Sequence, residues 1–242
     1  MSVNVSNVRN SYAMFGNAIL GSIFWGISGT VSSVLFSVYR MPFLSLLTLR
    51  MLIAGPILFI FSAGFIKKTD IPFFIIFSII GLLGVQLFYL GTISYSNAPT
   101  ATLLQFLFFP IVAVFDFLHS HRGSLFYVLM AVLLALIGTF ELSTGYPYSS
   151  DALKISGIAV IFGLITAATA SIYTLTSPRL VMKYGGIRTV SLGLIVGGVF
   201  SAPLGFAPSL LFFETLRKAA ILPVILMVIF VGIVGTLIAF LL

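Results

Sequence analysis

The sequence predicts an all-α, polytopic membrane protein, and three observations lead to this fold class. Hydrophobic residues make up 60% of the 242 residues, charged residues make up only 7%, and the mean hydropathy is +1.23. The apolar residues form long blocks that are joined by very short polar linkers. A soluble domain carries about a quarter charged residues, so this chain has too little charge to cover a water-facing surface. Backbone groups in lipid must hydrogen bond within their own segment, which selects helices.

Eight apolar blocks are long enough to cross a bilayer, because a hydrocarbon core of about 30 Å takes roughly 20 residues of helix. The first block follows a short polar N-terminus without a clear cleavage site, so we expect it to remain as the first helix. The linkers leave no room for a soluble catalytic domain. The blocks are residues 14–36, 42–65, 72–95, 98–118, 124–143, 154–176, 189–213 and 221–242.

The basic residues predict an orientation in the cell membrane. If the N-terminus is cytoplasmic, seven Lys and Arg residues fall in inner segments and four in outer segments, which agrees with the positive-inside rule. The net charge of +7 is not gathered on a basic face with interleaved aromatics, which excludes nucleic acid as a partner. The chain has no cysteine, so disulfides and thiolate metal sites are excluded. The inner basic residues are Arg9, Lys67, Lys68, Arg122, Arg179, Lys183 and Arg188.

Three stretches near the start of the chain recur, in order, near its end. The clearest pair is "GLLGVQLFYL" from Gly81 and "GIVGTLIAFL" from Gly232, and the three offsets lie between 141 and 151 residues. Helices six to eight therefore look like copies of helices one to three, inverted in the membrane, as in many secondary transporters. Chance alignment of Leu- and Gly-rich spans is the alternative. We predict an inverted five-plus-five repeat, with a first repeat at 1–143 and an incomplete second repeat at 153–242.

By this symmetry, two further helices would follow the eighth block. We therefore expect the 242-residue chain to be a C-terminally truncated fragment with its last two helices missing. Such a chain inserts into the membrane but transports poorly, because half of the symmetric gate is absent.

The motifs of the first half resemble the EamA-like branch of the drug/metabolite transporter superfamily. The resemblance rests on "GSIFWGISGT" in the first helix, "TLRMLIAG" in the second, and "GLLGVQLFYLGTISYSNAPTATLLQFLFFPIVAVF" across the third and fourth. It implies ten helices in two inverted repeats that move a small metabolite, such as an amino acid or a drug-like compound, outward by alternating access. It implies no cofactor. The implied partners are the lipid bilayer and a small-molecule substrate, and a homodimer is left open.

Polar side chains inside the apolar blocks are the candidates for a substrate pathway. Such residues are costly in lipid and usually face protein or water. Pairs three residues apart share a helix face, as do two residues of the third helix and two of the fourth. Hydrogen bonding between helices, without any substrate, is the competing interpretation. The pathway candidates are Trp25, Arg50, Gln86, Tyr89, Gln105 and Tyr173.

Two other classes of protein compete with a transporter. A membrane-embedded enzyme needs a nucleophile with a base or a metal-binding constellation, and the sequence contains no such motif, so we predict neither catalytic residues nor a metal site. The cluster of Asp116, His119, His121 and Arg122 allows a proton relay but also fits an ordinary cytosolic helix end. An inactive remnant or a membrane scaffold is the remaining alternative.

Overall fold

The computed structural model describes residues 5–62, 64–120 and 156–238, together with the isolated positions 126–127, 129–130, 132–134, 137 and 141. Seven spans within these residues are helical, long enough and apolar enough to cross a membrane. They confirm the predicted fold class, and the chain is a multi-pass membrane protein. Most of the fifth predicted block, 124–143, lies outside the described residues.

Each of the seven spans coincides with one predicted apolar block, and two of them are composite. The third span joins a 3₁₀ turn, a short α-helix, a π-helical segment and a longer α-helix. The fourth span is interrupted once. The elements are α1 (Val5–Ser37), α2 (Phe43–Phe61), the 3₁₀ turn (Lys68–Asp70), α3 (Ile71–Ile75), the first π segment (Ile76–Leu83), α4 (Gly84–Tyr95), α5 (Ala98–Gln105), α6 (Phe108–Ser120), α7 (Gly157–Tyr184), α8 (Gly186–Thr215), α9 (Lys218–Gly232) and the second π segment (Ile233–Ile238).

The short connections are set by capping residues and one glycine. Asn97 caps α5, where its side chain accepts a hydrogen bond of 2.8 Å from the backbone N–H of Thr100. Ser156 caps α7 in the same way. Gly185 alone connects α7 to α8, and its φ of +85° is a conformation that favours glycine. These residues let the chain reverse between spans without a long loop.

The break in the fourth span follows from Pro110. A proline inside a helix has no N–H to donate, and its ring clashes with the carbonyl four residues earlier. That carbonyl belongs to Phe106, and it accepts instead from the Phe109 N–H at 3.0 Å. The helix is interrupted between Gln105 and Phe108. Pro56 and Pro203, by contrast, lie within the uninterrupted helices α2 and α8.

Glycines let α2 and α8 pack closely as an antiparallel pair. A Cβ on Gly55 would lie 2.9 Å from the backbone nitrogen of Ile195, and a Cβ on Gly198 would lie 2.8 Å from Leu52. The residue numbers of successive contacts increase along α2 and decrease along α8, so the two helices run in opposite directions. The contact is also the centre of the apolar core, where Met51 is fully buried. Small residues permit such close approach in membranes.

The third span packs against α7 through a second set of glycines. A Cβ on Gly84 or on Gly91 would lie 2.9 Å from Thr169 and Phe162 respectively, again in antiparallel order. The second π segment meets α1 in a similar way, where a Cβ on Gly235 would lie 2.1 Å from the Ser28 hydroxyl.

Two ends of the bundle can be defined from these directions. At the Asp70 end, α2 finishes, the third span starts, α7 finishes and α8 starts. At the Phe43 end, α1 finishes, α2 starts, α4 finishes and α7 starts.

Candidate functional site

Arg50 is a buried cation inside the membrane-spanning part of α2. It lies seven residues after the start of the helix at Phe43, which is about 10 Å at 1.5 Å per residue. Only 5% of the residue is exposed. Within the part of the chain that the structure describes, its Nε and Nη2 atoms are buried without a hydrogen-bond partner. Burying an arginine in a membrane helix costs about 3 kcal/mol on insertion scales, so its retention indicates a use.

The Tyr89 hydroxyl contacts two further spans and lies within electrostatic range of this cation. Thr102 on α5 donates its own hydroxyl hydrogen to the Ala98 carbonyl at 3.0 Å. Tyr89 therefore donates to the Thr102 oxygen, at 3.1 Å. A Cβ on Gly29 of α1 would lie 3.2 Å from the Tyr89 oxygen, so the glycine makes room for the hydroxyl. Spans one to four converge at this point.

The acidic residues of the chain do not neutralise Arg50 within the described residues. The sequence contains five, and four of them fall at described positions. Asp70 is paired at the Asp70 end of the bundle, and the other three, Asp116, Glu141 and Glu214, are exposed. The positive charge thus lacks a protein carboxylate in this part of the molecule.

The other predicted pathway residues occupy different positions around this centre. Gln86 and Gln105 are half-buried on α4 and α5. Tyr173 stacks on Phe77 with ring centroids 5.4 Å apart. Trp25 is 50% exposed, one helical turn before Gly29.

The structure therefore brings Arg50 and Tyr89 together. Tyr173 packs instead against Gly81, where a Cβ would lie 3.2 Å from its Cα. Gly81 precedes Tyr89 by eight residues in the third span, or about 12 Å of helix.

The threonines of α7 bond within their own helix. Thr166 donates to the Phe162 carbonyl at 2.8 Å, and Thr169 donates to the Ile165 carbonyl at 2.9 Å. Such bonds satisfy the hydroxyls inside the helix. These two residues therefore stabilise neither a neighbouring helix nor a ligand through the bonds they make here.

A second polar cluster lies at the Asp70 end, and the sequence analysis missed it. The Asp70 carboxylate accepts from the Lys183 ammonium and from the Tyr184 hydroxyl. The Tyr184 oxygen in turn accepts from the backbone N–H of Lys67, at 3.2 Å. This Asp70 cluster joins the start of the third span to the end of α7. The one available signal was an acidic residue at the start of an apolar block, two residues after a pair of lysines.

Two arginines also pack against neighbouring residues at the Asp70 end of the bundle. The Arg179 guanidinium lies 4.5 Å from the centre of the Phe73 ring, a separation typical of a cation–π contact. Arg188 packs on Gly64, where a Cβ would lie 2.7 Å from the guanidinium carbon. Gly64 also has a φ of +147°, so both its backbone and its surroundings favour glycine.

Two π-helical segments, Ile76–Leu83 and Ile233–Ile238, are a further feature absent from the sequence analysis. Such segments occur often at functional sites. The first contains Ser78, which is fully buried, and the second contains Gly235, which packs on Ser28. Hydropathy does not distinguish π from α geometry, because both bury the same residue types.

Among the described residues, no group of three or more His, Cys, Asp or Glu side chains is placed to hold a metal ion. The chemistry that the site offers is therefore recognition by a cation and by neutral hydrogen-bonding groups.

Comparisons with known proteins support the resemblance seen in the sequence. A family model described as the EamA-like transporter family matches residues 14–144. A protein of Salmonella typhimurium described as the uncharacterized inner membrane transporter YicL is 37% identical over an alignment of 196 residues, and the match covers 77% of this chain and 64% of that protein. The chain thus spans less than two thirds of the length of this relative. No solved structure matches the chain.

Proposed function

The chain belongs to the EamA-like transporter family, and on that premise we propose that it is a secondary transporter that exports a small metabolite by alternating access. The N-terminus and the Asp70 end face the cytoplasm, in line with the distribution of basic residues. The pathway runs past Trp25, Arg50, Gln86, Tyr89 and Gln105 toward Tyr173. The relative's printed name, an inner membrane transporter, supports the class of function.

The observation that carries the proposal is the buried polar centre at Arg50 and Tyr89. Ionisable residues inside membrane spans usually mark a substrate or ion path. In transporters built from two halves, the substrate lies inside the bilayer where the halves meet. Arg50 lies on α2, which packs along α8 of the second half. A structural arginine in a scaffold protein would instead be expected to have its donors satisfied.

Alternating access further requires contacts between the halves that form and break at each end in turn. At the Asp70 end, Asp70 of the first predicted repeat bonds Lys183 and Tyr184 of the second. At the Phe43 end, the ring of Phe162 on α7 lies 6.2 Å from that of Phe43 and 5.6 Å from that of Tyr95. One end is thus joined by charge and the other by aromatic packing. We propose that these two sets of contacts are the gates.

Export is tested by mass spectrometry of cells that express the chain. We expect a small set of metabolites whose medium-to-cell ratio rises with expression, by a small factor because the sequence predicts poor transport. Arg50→Gln abolishes this rise, whereas the control Arg217→Gln, at an exposed position directly before α9, retains it. If no ratio responds although the protein is present in the membrane, the chain is an inactive scaffold and the proposal fails.

The gate at the Asp70 end is tested by thiol labelling, because the chain has no native cysteine. Ser78→Cys places a single thiol at a fully buried position, about 12 Å along the third span from Asp70. Asp70→Asn removes the ion pair with Lys183, whose side chain is 44% exposed. Such partly exposed pairs contribute up to about 1 kcal/mol, which corresponds to about a fivefold change in the equilibrium between the closed and the open gate. We therefore expect a membrane-impermeant maleimide to label Ser78→Cys up to about fivefold faster when Asp70→Asn is added.

Two controls make this experiment specific. Exchanging the charges, Asp70→Lys with Lys183→Asp, should return labelling of Ser78→Cys toward its original rate. Met182→Cys, at a position 88% exposed, should react equally fast in every background. Equal labelling of Ser78→Cys with and without Asp70→Asn would contradict the gate while leaving the export proposal standing.

A further inference from the structure

The unpartnered side of the Arg50 guanidinium has a defined shape. Its two buried nitrogens without a partner among the described residues are Nε and Nη2. These two atoms lie on one edge of the planar group, so their N–H bonds point in nearly parallel directions. Such a fork matches the two oxygens of a carboxylate, and Arg–carboxylate pairs are often bidentate for this reason. A single hydroxyl or carbonyl oxygen would satisfy only one of the two donors.

The position of the fork limits what can reach it. The Arg50 backbone lies about 10 Å along α2 from the start of the helix. It also packs against the end of α9, because a Cβ on Gly232 would lie 3.6 Å from the Arg50 Cα. Only 5% of Arg50 is exposed, so a lipid phosphate outside the bundle has little access to the guanidinium. Among the described acidic residues, Asp70 is paired elsewhere and the others are exposed. Within the described part of the chain, no carboxylate supplies oxygens to the fork, which leaves it open to a molecule that enters the bundle.

The surroundings of the fork define the rest of the ligand. Tyr89, whose hydroxyl hydrogen is committed to Thr102, offers its oxygen as an acceptor only. Gln86 lies one turn before Tyr89 on α4 and is half-buried. On the same face of α2, Leu46 and Leu47 lie four and three residues before Arg50, and both are apolar and fully buried. Such a site suits a small molecule with one carboxylate and a mainly apolar body.

We propose that Arg50 binds the carboxylate of the transported molecule, so that the substrate class is a small amphipathic carboxylate. The inference rests on the proposed transport function for the identity of the molecule as a substrate. Carboxylate binding itself does not require transport, and it is measured separately. Arg50 acts as a binding residue whose charge is neutralised by the ligand.

The test uses the purified chain and three probes that share one ring. Cyclohexanecarboxylate is anionic, cyclohexanecarboxamide is neutral and cyclohexylmethylamine is cationic. Binding is followed by thermal stabilisation and by the fluorescence of Trp25, the single tryptophan of the chain, which lies one turn from Gly29. We expect saturable stabilisation by the carboxylate alone, because only it can accept from both donors of the fork.

Variants distinguish the contribution of the two parallel N–H donors of Arg50 from that of its charge and from a loss of folding. Charge-assisted hydrogen bonds are strong enough that Arg50→Gln should weaken carboxylate binding about tenfold to a hundredfold. Arg50→Lys keeps the charge but lacks the fork, and it should show an intermediate loss. Arg217→Gln should bind as the unaltered chain does. Asp151→Asn tests the one acidic residue outside the described part, and it too should leave carboxylate binding unchanged.

The outcomes distinguish the inference from the proposed function. Carboxylate binding that depends on Arg50, in a chain that exports nothing, supports the site and refutes transport. Export that depends on Arg50 but is limited to cationic or neutral metabolites refutes the carboxylate site and supports transport. The inference is also overturned if all three probes stabilise the chain equally, if none does, or if Arg50→Gln retains carboxylate binding. Carboxylate binding that is altered in Asp151→Asn assigns the fork to that residue and equally overturns it.

Discussion

Replacing Gly205 by alanine tests the packing that holds α2, and therefore Arg50, against α8. A Cβ at this position would lie 2.1 Å from the Thr48 hydroxyl oxygen and 2.5 Å from the Leu44 carbonyl oxygen. Thr48 can rotate away, but it then gives up its hydrogen bonds to the Ser201 hydroxyl, at 3.0 Å, and carbonyl, at 3.2 Å. The Leu44 carbonyl belongs to the backbone and cannot rotate. The distance from the added Cβ to the Leu44 oxygen would be 0.9 Å shorter than the 3.4 Å at which ordinary contact begins, so the helices must separate.

The magnitude follows from these two effects. Overpacking a tight contact costs about 1–3 kcal/mol, and the single Thr48 hydroxyl hydrogen, shared between the two Ser201 oxygens, contributes about 0.6 kcal/mol. We therefore expect Gly205→Ala to lower the free energy of unfolding by about 2–4 kcal/mol. For a chain of this length, that corresponds to a melting temperature lower by at least about 4 °C.

The assay is the fraction of purified protein that stays monodisperse in detergent after heating. Gly26→Ala is the matched control, because a Cβ on Gly26 has nothing within 4 Å. Alanine is also favoured over glycine in a helix by about 0.5–1 kcal/mol, so this control should keep or slightly raise the melting temperature. If the two variants melt together, the close approach of α2 and α8 at Gly205 is not what stabilises the bundle, and the packing argument is wrong.

Two further predictions concern a helix cap and the second π segment. Asn97→Ala removes the side-chain acceptor that bonds the Thr100 N–H at 2.8 Å and should cost about 1 kcal/mol in the same heating assay; Asn97→Asp keeps the acceptor and should show no loss. Gly235→Ala places a Cβ 2.1 Å from the Ser28 hydroxyl, which displaces the face of α1 beside Tyr89 and should weaken stabilisation by cyclohexanecarboxylate. Unchanged stabilisation by cyclohexanecarboxylate would show that the second π segment does not shape the carboxylate site.

The spans could be predicted from the sequence because lipid imposes one requirement on every one of them. Hydropathy reports which residues contact lipid or the core, and it located seven helices correctly. It does not report where a helix ends in water. The sixth block was predicted to end at residue 176, whereas α7 continues to Tyr184. The additional residues include Arg179 and Lys183, which are too polar to be counted as membrane-spanning and yet are good helix formers.

The site could be predicted only as far as residue type reveals it. Arg50 and Tyr89 were recognisable because a cation and a phenol inside apolar blocks need a physical reason. The Asp70 cluster was not recognisable, because Asp70 and Lys183 are 113 residues apart and an ordinary linker carries the same residue types. The inverted repeat and its boundaries stay predictions. The third and the last described spans, predicted to be symmetry-related, each contain a π segment, which is in keeping with that repeat.

The two polar clusters differ in how many of their hydrogen-bonding groups have partners among the described residues. On this difference we propose different functions for them. At the Asp70 end, acid, lysine and tyrosine bond one another, so the cluster is complete when the halves are together and loses its bonds when they part. That is the behaviour of a gate. At Arg50, the fork stays unsatisfied by the described residues while the side chain stays buried. A group that is complete only when another molecule is present is suited to binding. In the transport cycle that we propose for this chain, a ligand would neutralise Arg50 inside the bundle, and the Asp70 cluster and the aromatic contacts at the Phe43 end would decide which side the ligand leaves from.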